Sequence, residues 1–240
     1  LLWLFYGIVI TVFIYNLFIF FSSKDRIYLI LAIFIFSSMM YTFIRNGMAR
    51  KYFWPDMPWW TNYSYLFFAY ITIVFLIKFT QILFNTKDEL YPIHKILNLI
   101  TAVSLVIILL SLFIPYSISA KLSAIITIIC AMLIIFFIII PMFRINKRPV
   151  YYYMTSCLFF TCWTLILALQ SFGIIPDTYT SGSGHLVGLT FGYVFLSVGV
   201  ADHLKTLKEK NENSLSALKK SEERYRLFFE TAHDAIMYCI

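Results

Sequence analysis

Hydrophobic and polar positions alternate along this chain in long blocks. Seven apolar runs, each close to membrane-crossing length, are separated by short polar connections: Leu1–Phe21, Ile27–Ile44, Tyr63–Phe84, Ile96–Ile114, Leu122–Phe143, Val150–Phe172 and Leu186–Ala201. Roughly 20 apolar residues in a helix cross a ~30 Å hydrocarbon core. In lipid each backbone polar group must be satisfied within its own segment, and the period-two pattern of a β-barrel is absent, so the runs predict helices. The seventh run is short, but no proline follows it and the last glycine before the charged tail is Gly199, so its helix is expected to continue past Ala201. The predicted fold is all-α: a seven-transmembrane-helix bundle (residues 1–203) followed by a cytoplasmic helical linker (204–220).

Composition agrees with lipid as the solvent. The chain is 61% hydrophobic and only 13% charged, outside the range of a soluble domain. Residues 202–240 hold seven of the twelve acids and seven of the nineteen bases, so the formal +7 belongs to the membrane part. That distribution argues against nucleic-acid binding. With the N-terminus outside, the inner loops carry eight bases (Lys24, Arg26, Lys78, Lys87, Lys95, Arg144, Lys147, Arg148) and the outer ones four (Arg45, Arg50, Lys51, Lys121). The positive-inside rule then puts the C-terminus in the cytoplasm, with the Arg45–Lys51 loop as the one dissenting segment.

Candidate chemistry is sparse. Cys130, Cys157, Cys162 and Cys239 have no Cys-x-x-Cys spacing and read as small apolar residues. No phosphate loop, metal-spaced cluster or nucleophile–base pair is present, so no enzyme activity and no cofactor is assigned. His185, at the outer end of the last run, and His94, in a loop, are read as solvated rather than as ligands. Asn16, Gln81, Asn98 and Gln170 would each cost free energy facing lipid and are expected to bond across helices. Lys78 is expected to reach the interface along its own stem. A retinal site would need a lysine in the middle of the last run, which has none. A transporter with a regulatory tail is the alternative, disfavoured by the absence of internal repeats and of acids or histidines deep in the runs.

Three segments remain as signalling candidates. Gly184, Gly188 and Gly192 recur at four-residue spacing and suit close helix approach, within the bundle or at a dimer seam. Beyond Asp202, spacings of three and four link Leu204, Leu207, Asn211, Ser214, Leu218, Ser221, Tyr225 and Phe228. That pattern fits either a weak parallel coiled coil with Asn211 setting its register or a single solvated helix. The outer loop RNGMARKYFWPDMPWWTN carries Trp54, Pro55, Trp59 and Trp60, which fit either an interfacial aromatic belt or an extracellular docking surface.

Several stretches carry a family resemblance: Tyr6-Gly7, Tyr15-Asn16, Lys24-Asp25-Arg26 with Tyr28-Leu29, Phe53-Trp54-Pro55-Asp56 with Pro58-Trp59, Phe172-Gly173-Ile174-Ile175-Pro176, and the exit from Leu196-Ser197 to Ala201-Asp202. Together they resemble the seven-transmembrane receptors with diverse intracellular signalling modules, over about residues 1–210. Ser221–Ile240 resembles the opening of a PAS sensor domain of α+β fold, truncated here, with Asp234-Ala235-Ile236 entering its first strand. The resemblance implies a sensor of the bacterial inner membrane. It further implies an outer β-sandwich domain before the first span and a histidine kinase or cyclase effector in cis after the last. Expected partners are membrane lipid, that effector, and a second copy through the C-terminal helix. The chain opens at Leu1 inside an apolar run and closes as a new apolar pattern begins, and so is read as part of a longer protein.

Overall fold

A computed structural model describes residues 2–89, 91–113, 148–171 and 179–237, with isolated positions between 118 and 132 and at 173, 174 and 176. Among the described residues the secondary structure is helical: α1 (Leu2–Ser23), α2 (Arg26–Arg45), α3 (Met48–Tyr52), α4 (Pro58–Leu83), α5 (Thr86–Glu89), α6 (Tyr91–Leu110), α7 (Arg148–Ser171) and α8 (Tyr179–Met237). The predicted span Leu122–Phe143 lies almost wholly outside the described residues. The chain divides into two compact units, Leu1–Val200 and Ala201–Ile240.

Turn chemistry fixes where the helices end. Lys24 takes a left-handed φ of 59°, and its N–H bonds Phe20 O at 2.8 Å, closing α1. Asp25 then caps α2, its carboxylate accepting from Ile27 N at 3.0 Å. Gly173, at φ 74°, closes α7: its N–H bonds Gln170 O at 2.9 Å and Ile174 N–H bonds Leu169 O at 3.0 Å. This is the paired closure a left-handed glycine permits, and it gives the Phe172–Pro176 motif a physical meaning. Pro58 begins α4 at its first turn, where a missing N–H costs nothing. α4 therefore starts five residues before the apolar run at Tyr63.

The first unit buries hydroxyls and amides among its apolar core and exposes large apolar side chains. Asn16, Ser64, Ser104 and Ser156 are fully buried, and Ser37, Ser38, Thr42, Thr80 and Thr101 nearly so. Trp3, Leu4, Phe18, Phe21, Leu99 and Leu109 are exposed. Lipid solvates such exposed apolar side chains and leaves the buried polar ones to bond one another or their own helix backbone. Among the described residues, five helical segments are long and apolar enough to cross a membrane: Leu2–Ser23, Arg26–Arg45, Trp59–Leu83, Tyr91–Leu110 and Gly184–Arg226. The chain is a multi-pass helical membrane protein.

α2 is the central helix, packed against α1 and α4, and α6 packs on the far side of α4. On α6 the buried Leu97, Thr101, Ser104 and Ile108 form one stripe, and Leu97 and Ile108 join Leu66, Tyr70, Ile73 and Ile77 of α4 in one cluster.

Two expectations change. The seventh run is the core of a 59-residue helix that begins at Tyr179, well before Leu186. Asp234, Ala235 and Ile236, expected to enter a strand, are helical in its last turns. A strand is stabilised only by a ladder with a partner, and among the described residues there is none.

Candidate functional site

The functional candidate is the first half of α8 and the side chains that hold it. Ser197 Oγ accepts from Asn16 Nδ2 of α1 at 2.9 Å, both residues buried. One turn earlier, the Tyr193 hydroxyl bonds Ser38 of α2. The Tyr193 ring, fully buried, packs edge-on against Phe34 at 6.0 Å and tilts against Phe160 of α7 at 5.5 Å. α8 is thus tied to α1, α2 and α7 within two turns. A matching tie joins α4 to α7, where Thr80 bonds the buried Tyr153 hydroxyl and the ring of Phe84 meets that of Tyr153 at 5.0 Å.

The predicted glycine face has more than one use. A Cβ on Gly192 would lie 2.4 Å from Cε1 of Phe160, so the missing side chain admits an aromatic ring of α7. The close approach is to a side chain rather than to the backbone of a neighbouring helix. Gly184 and Gly188, with Phe159, Val187, Phe191 and Phe195, line an apolar groove of about 440 Å³ between α7 and α8. Beside it the Phe159 ring stacks on Phe191 and Phe195 at 5.9 and 6.0 Å.

The polar span residues find the partners expected of them. Besides Asn16, Gln81 Nε2 donates to Asn98 Oδ1 at 3.0 Å, and Gln170 Oε1 accepts from Arg45 Nη2 at 3.3 Å. Lys78 Nζ donates to Gln81 Oε1 at 3.2 Å, one turn nearer the end of α4, and extends that network. The buried Oδ1 of Asn16 has no partner, so its amide is only partly satisfied. A double-mutant cycle on Asn16→Leu and Ser197→Ala is therefore expected to give a coupling of about 0.6 kcal/mol. Denaturant titration in mixed micelles measures it, and zero coupling would mean the bond does not form.

His185 departs from expectation, being 5% exposed rather than solvated. Arg45, in the last turn of α2, is the charged group acting on it. His94 lies beside Thr86, whose Oγ1 is 3.0 Å from its Nδ1.

In the aromatic loop, Gly47 turns the chain at φ 73° into α3, and the rings then run on in contact. Phe43 meets Phe53 at 5.2 Å, Phe53 meets Trp54 at 5.6 Å, and Trp54 meets Trp60 at 6.2 Å. Trp59 stacks on Tyr63 with planes 7° apart. Of the four docking candidates, Trp54 and Trp60 are half-buried in this cluster, whereas Pro55 and Trp59 are exposed.

In the second unit, Asp202 and Leu204 are half-buried and Asn211, Ser214, Leu218, Ser221 and Tyr225 are exposed. The side chains of Leu207 and Phe228 lie outside the described residues. Lys205 and Glu209 pair at 4.0 Å on the open surface, a contact of little energetic weight.

The sequence reading missed Tyr193, Tyr153 and Phe160, although hydroxyl-bearing residues recur through several spans. An aromatic residue inside an apolar run carries no mark of which neighbour it meets.

Neither a curated protein nor a solved structure matches the chain. A protein family does: the one described as 7TM diverse intracellular signalling, over residues 1–203. With its membrane-length apolar helices and this match over most of its length, the chain belongs to the 7TM diverse intracellular signalling family.

Proposed function

We propose that the protein is a seven-span, outside-in transducer whose last helix carries a stimulus from the bundle to a cytoplasmic effector in cis. The observation that carries the reading is α8: one helix, Tyr179–Met237, whose first half is tied to three neighbouring helices and whose later residues are polar and exposed. Two packings of Tyr193 and Ser197 against α1, α2 and α7 would place α8 in two rotations or axial positions. A stimulus would shift that balance by binding one packing better than the other.

Helix direction supports the seventh span. Arg45, Gln170 and His185 bring the C-terminal ends of α2 and α7 to the start of α8, while Thr80 and Tyr153 bring the end of α4 to the start of α7. α6 packs against α4, and on this reading the predicted span Leu122–Phe143 joins α6 to α7. The excess of Lys and Arg at the other end puts the Arg45 end outside, in a bacterial inner membrane.

Residues 204–220 act as the signalling linker, and Ser221–Ile240 lead into a PAS module that relays to a histidine kinase or diguanylate cyclase. The exposed Asn211, Ser214 and Leu218 are offered as the seam of a parallel homodimer. Cysteine at position 211 is expected to form a disulfide-linked dimer in membranes, and its absence would sink the paired arrangement.

Deleting four residues between Leu207 and Leu218 shortens a helix by about 6 Å and leaves a rotation of about 40°. In the full-length protein this deletion is expected to lock the effector on or off. Output that stayed stimulus-regulated would defeat the relay. Solute flux in proteoliposomes would favour a transporter instead.

A further inference from the structure

We propose that the Arg45 end of the bundle is a binding site for an oxyanion, a carboxylate or phosphate group held by Arg45 with Gln170 and His185 beside it. The inference takes its helix directions from the bundle reading above but needs no relay through α8.

The three side chains come from three helices, α2, α7 and α8, and meet at one end of the bundle, His185 buried and the other two half-buried. Arg45 is half-buried, and one of its five N–H donors is spent on Gln170 Oε1. Among the described residues no carboxylate lies within ion-pair distance of it, and the ion pair found there, Lys205–Glu209, is in the other unit. His185 is almost wholly buried with this guanidinium as its charged neighbour. A half-buried cation whose described neighbours are an imidazole and a neutral amide is stabilised when an anion completes it. The planar fork of arginine matches a carboxylate or phosphate by two parallel bonds, and a neutral imidazole can donate a third.

Asn46, next to Arg45 in the chain, and Tyr41, one turn earlier on α2, are uncharged and already partnered. Asn46 Nδ2 donates to Tyr6 Oη at 3.3 Å, and the hydroxyls of Tyr41 and Tyr65 lie 3.0 Å apart. Nothing among them neutralises Arg45. The oxyanion could arrive on a small solute from the aqueous side or on the headgroup of an anionic lipid, because both present the same chemistry to the fork.

The test uses the chain purified into phosphatidylcholine nanodiscs, with thermal unfolding followed by tryptophan fluorescence at constant ionic strength. Acetate or inorganic phosphate in place of chloride is expected to raise the midpoint saturably. Arg45→Gln should weaken that affinity about tenfold or more, with Arg45→Lys intermediate because it keeps the charge but loses the fork. Should Arg45→Gln fail to fold, the graded loss in Arg45→Lys carries the test. An Arg45-dependent rise seen only when phosphatidylglycerol is added to the nanodisc also supports the site and names the headgroup as its source. No shift with any of these anions, or a shift in Arg45→Gln and Arg45→Lys at the same anion concentrations as in the unchanged chain, overturns the proposal. Anion binding that persists in the four-residue linker deletion, with output still stimulus-regulated, would sink the relay while leaving this site standing.

Discussion

Tyr193→Ala is expected to lower the stability of the bundle by about 3–5 kcal/mol, the range for truncating a buried aromatic residue that leaves a cavity. Tyr193, on α8, is fully buried and touches two neighbouring helices at once: Ser38 and Phe34 on α2 and Phe160 on α7. Its removal deletes ring packing and a hydrogen bond together. Tyr193→Phe separates the two. It keeps the ring, and Ser38 can turn its hydroxyl to a backbone acceptor of its own helix, so the cost falls to about 1 kcal/mol. Denaturant titration in mixed micelles measures both. Equal losses for Ala and Phe would mean that the ring does not hold α8 in place. In the full-length protein the Ala variant is also expected to uncouple output from stimulus before it abolishes folding, because it loosens α8 against both α2 and α7.

The second large effect is at Gly192. A valine there has no room, since even a Cβ falls 2.4 Å from the Phe160 ring. Phe160 cannot simply swing away: it is wedged between Phe34 at 5.8 Å and Tyr193 at 5.5 Å. Overpacking of this kind costs about 1–3 kcal/mol, and relief requires α7 and α8 to part. Gly192→Val is therefore expected to destabilise the bundle, and Gly192→Val with Phe160→Ala to recover part of the loss. Such recovery is the signature of a shared contact. A double variant no better than the sum of its parts would place the strain elsewhere.

Both effects concern contacts that the chain does not spell out. The spacing of Gly184, Gly188 and Gly192 marks a face with small residues, but a face has many possible occupants. Only the packed bundle puts a ring of α7 over Gly192 and an apolar groove beside Gly184 and Gly188. The same holds for the polar side chains. That Asn16, Gln81 and Gln170 must find partners follows from the cost of a bare amide in lipid, which is a property of the residue and its depth. That the partners are Ser197, Asn98 and Arg45 depends on which helices become neighbours. His185 makes the point in reverse. A histidine at the end of an apolar run reads as solvated, yet the helix begins at Tyr179, so position 185 is already inside the bundle and beside Arg45.

What the sequence determined by itself is the solvent and the secondary structure. Apolar runs of about 20 residues, with acids and most bases confined between and after them, admit no economical fold except helices in lipid. The helix ends at Lys24-Asp25 and Gly173 also rest on local chemistry, capping and left-handed turns, although the sequence showed those stretches only as family motifs. The tertiary structure alone decided the order in which helices touch, the tie of α8 to α1, α2 and α7 through Ser197, Tyr193 and Gly192, and the meeting of Arg45, Gln170 and His185 at one end. The physical reason is that lipid solvates every apolar face equally well. Burial of apolar surface does not rank one helix pairing over another, and the choice falls to a few hydroxyls, amides and ring contacts. Their complementarity exists only once the helices stand side by side.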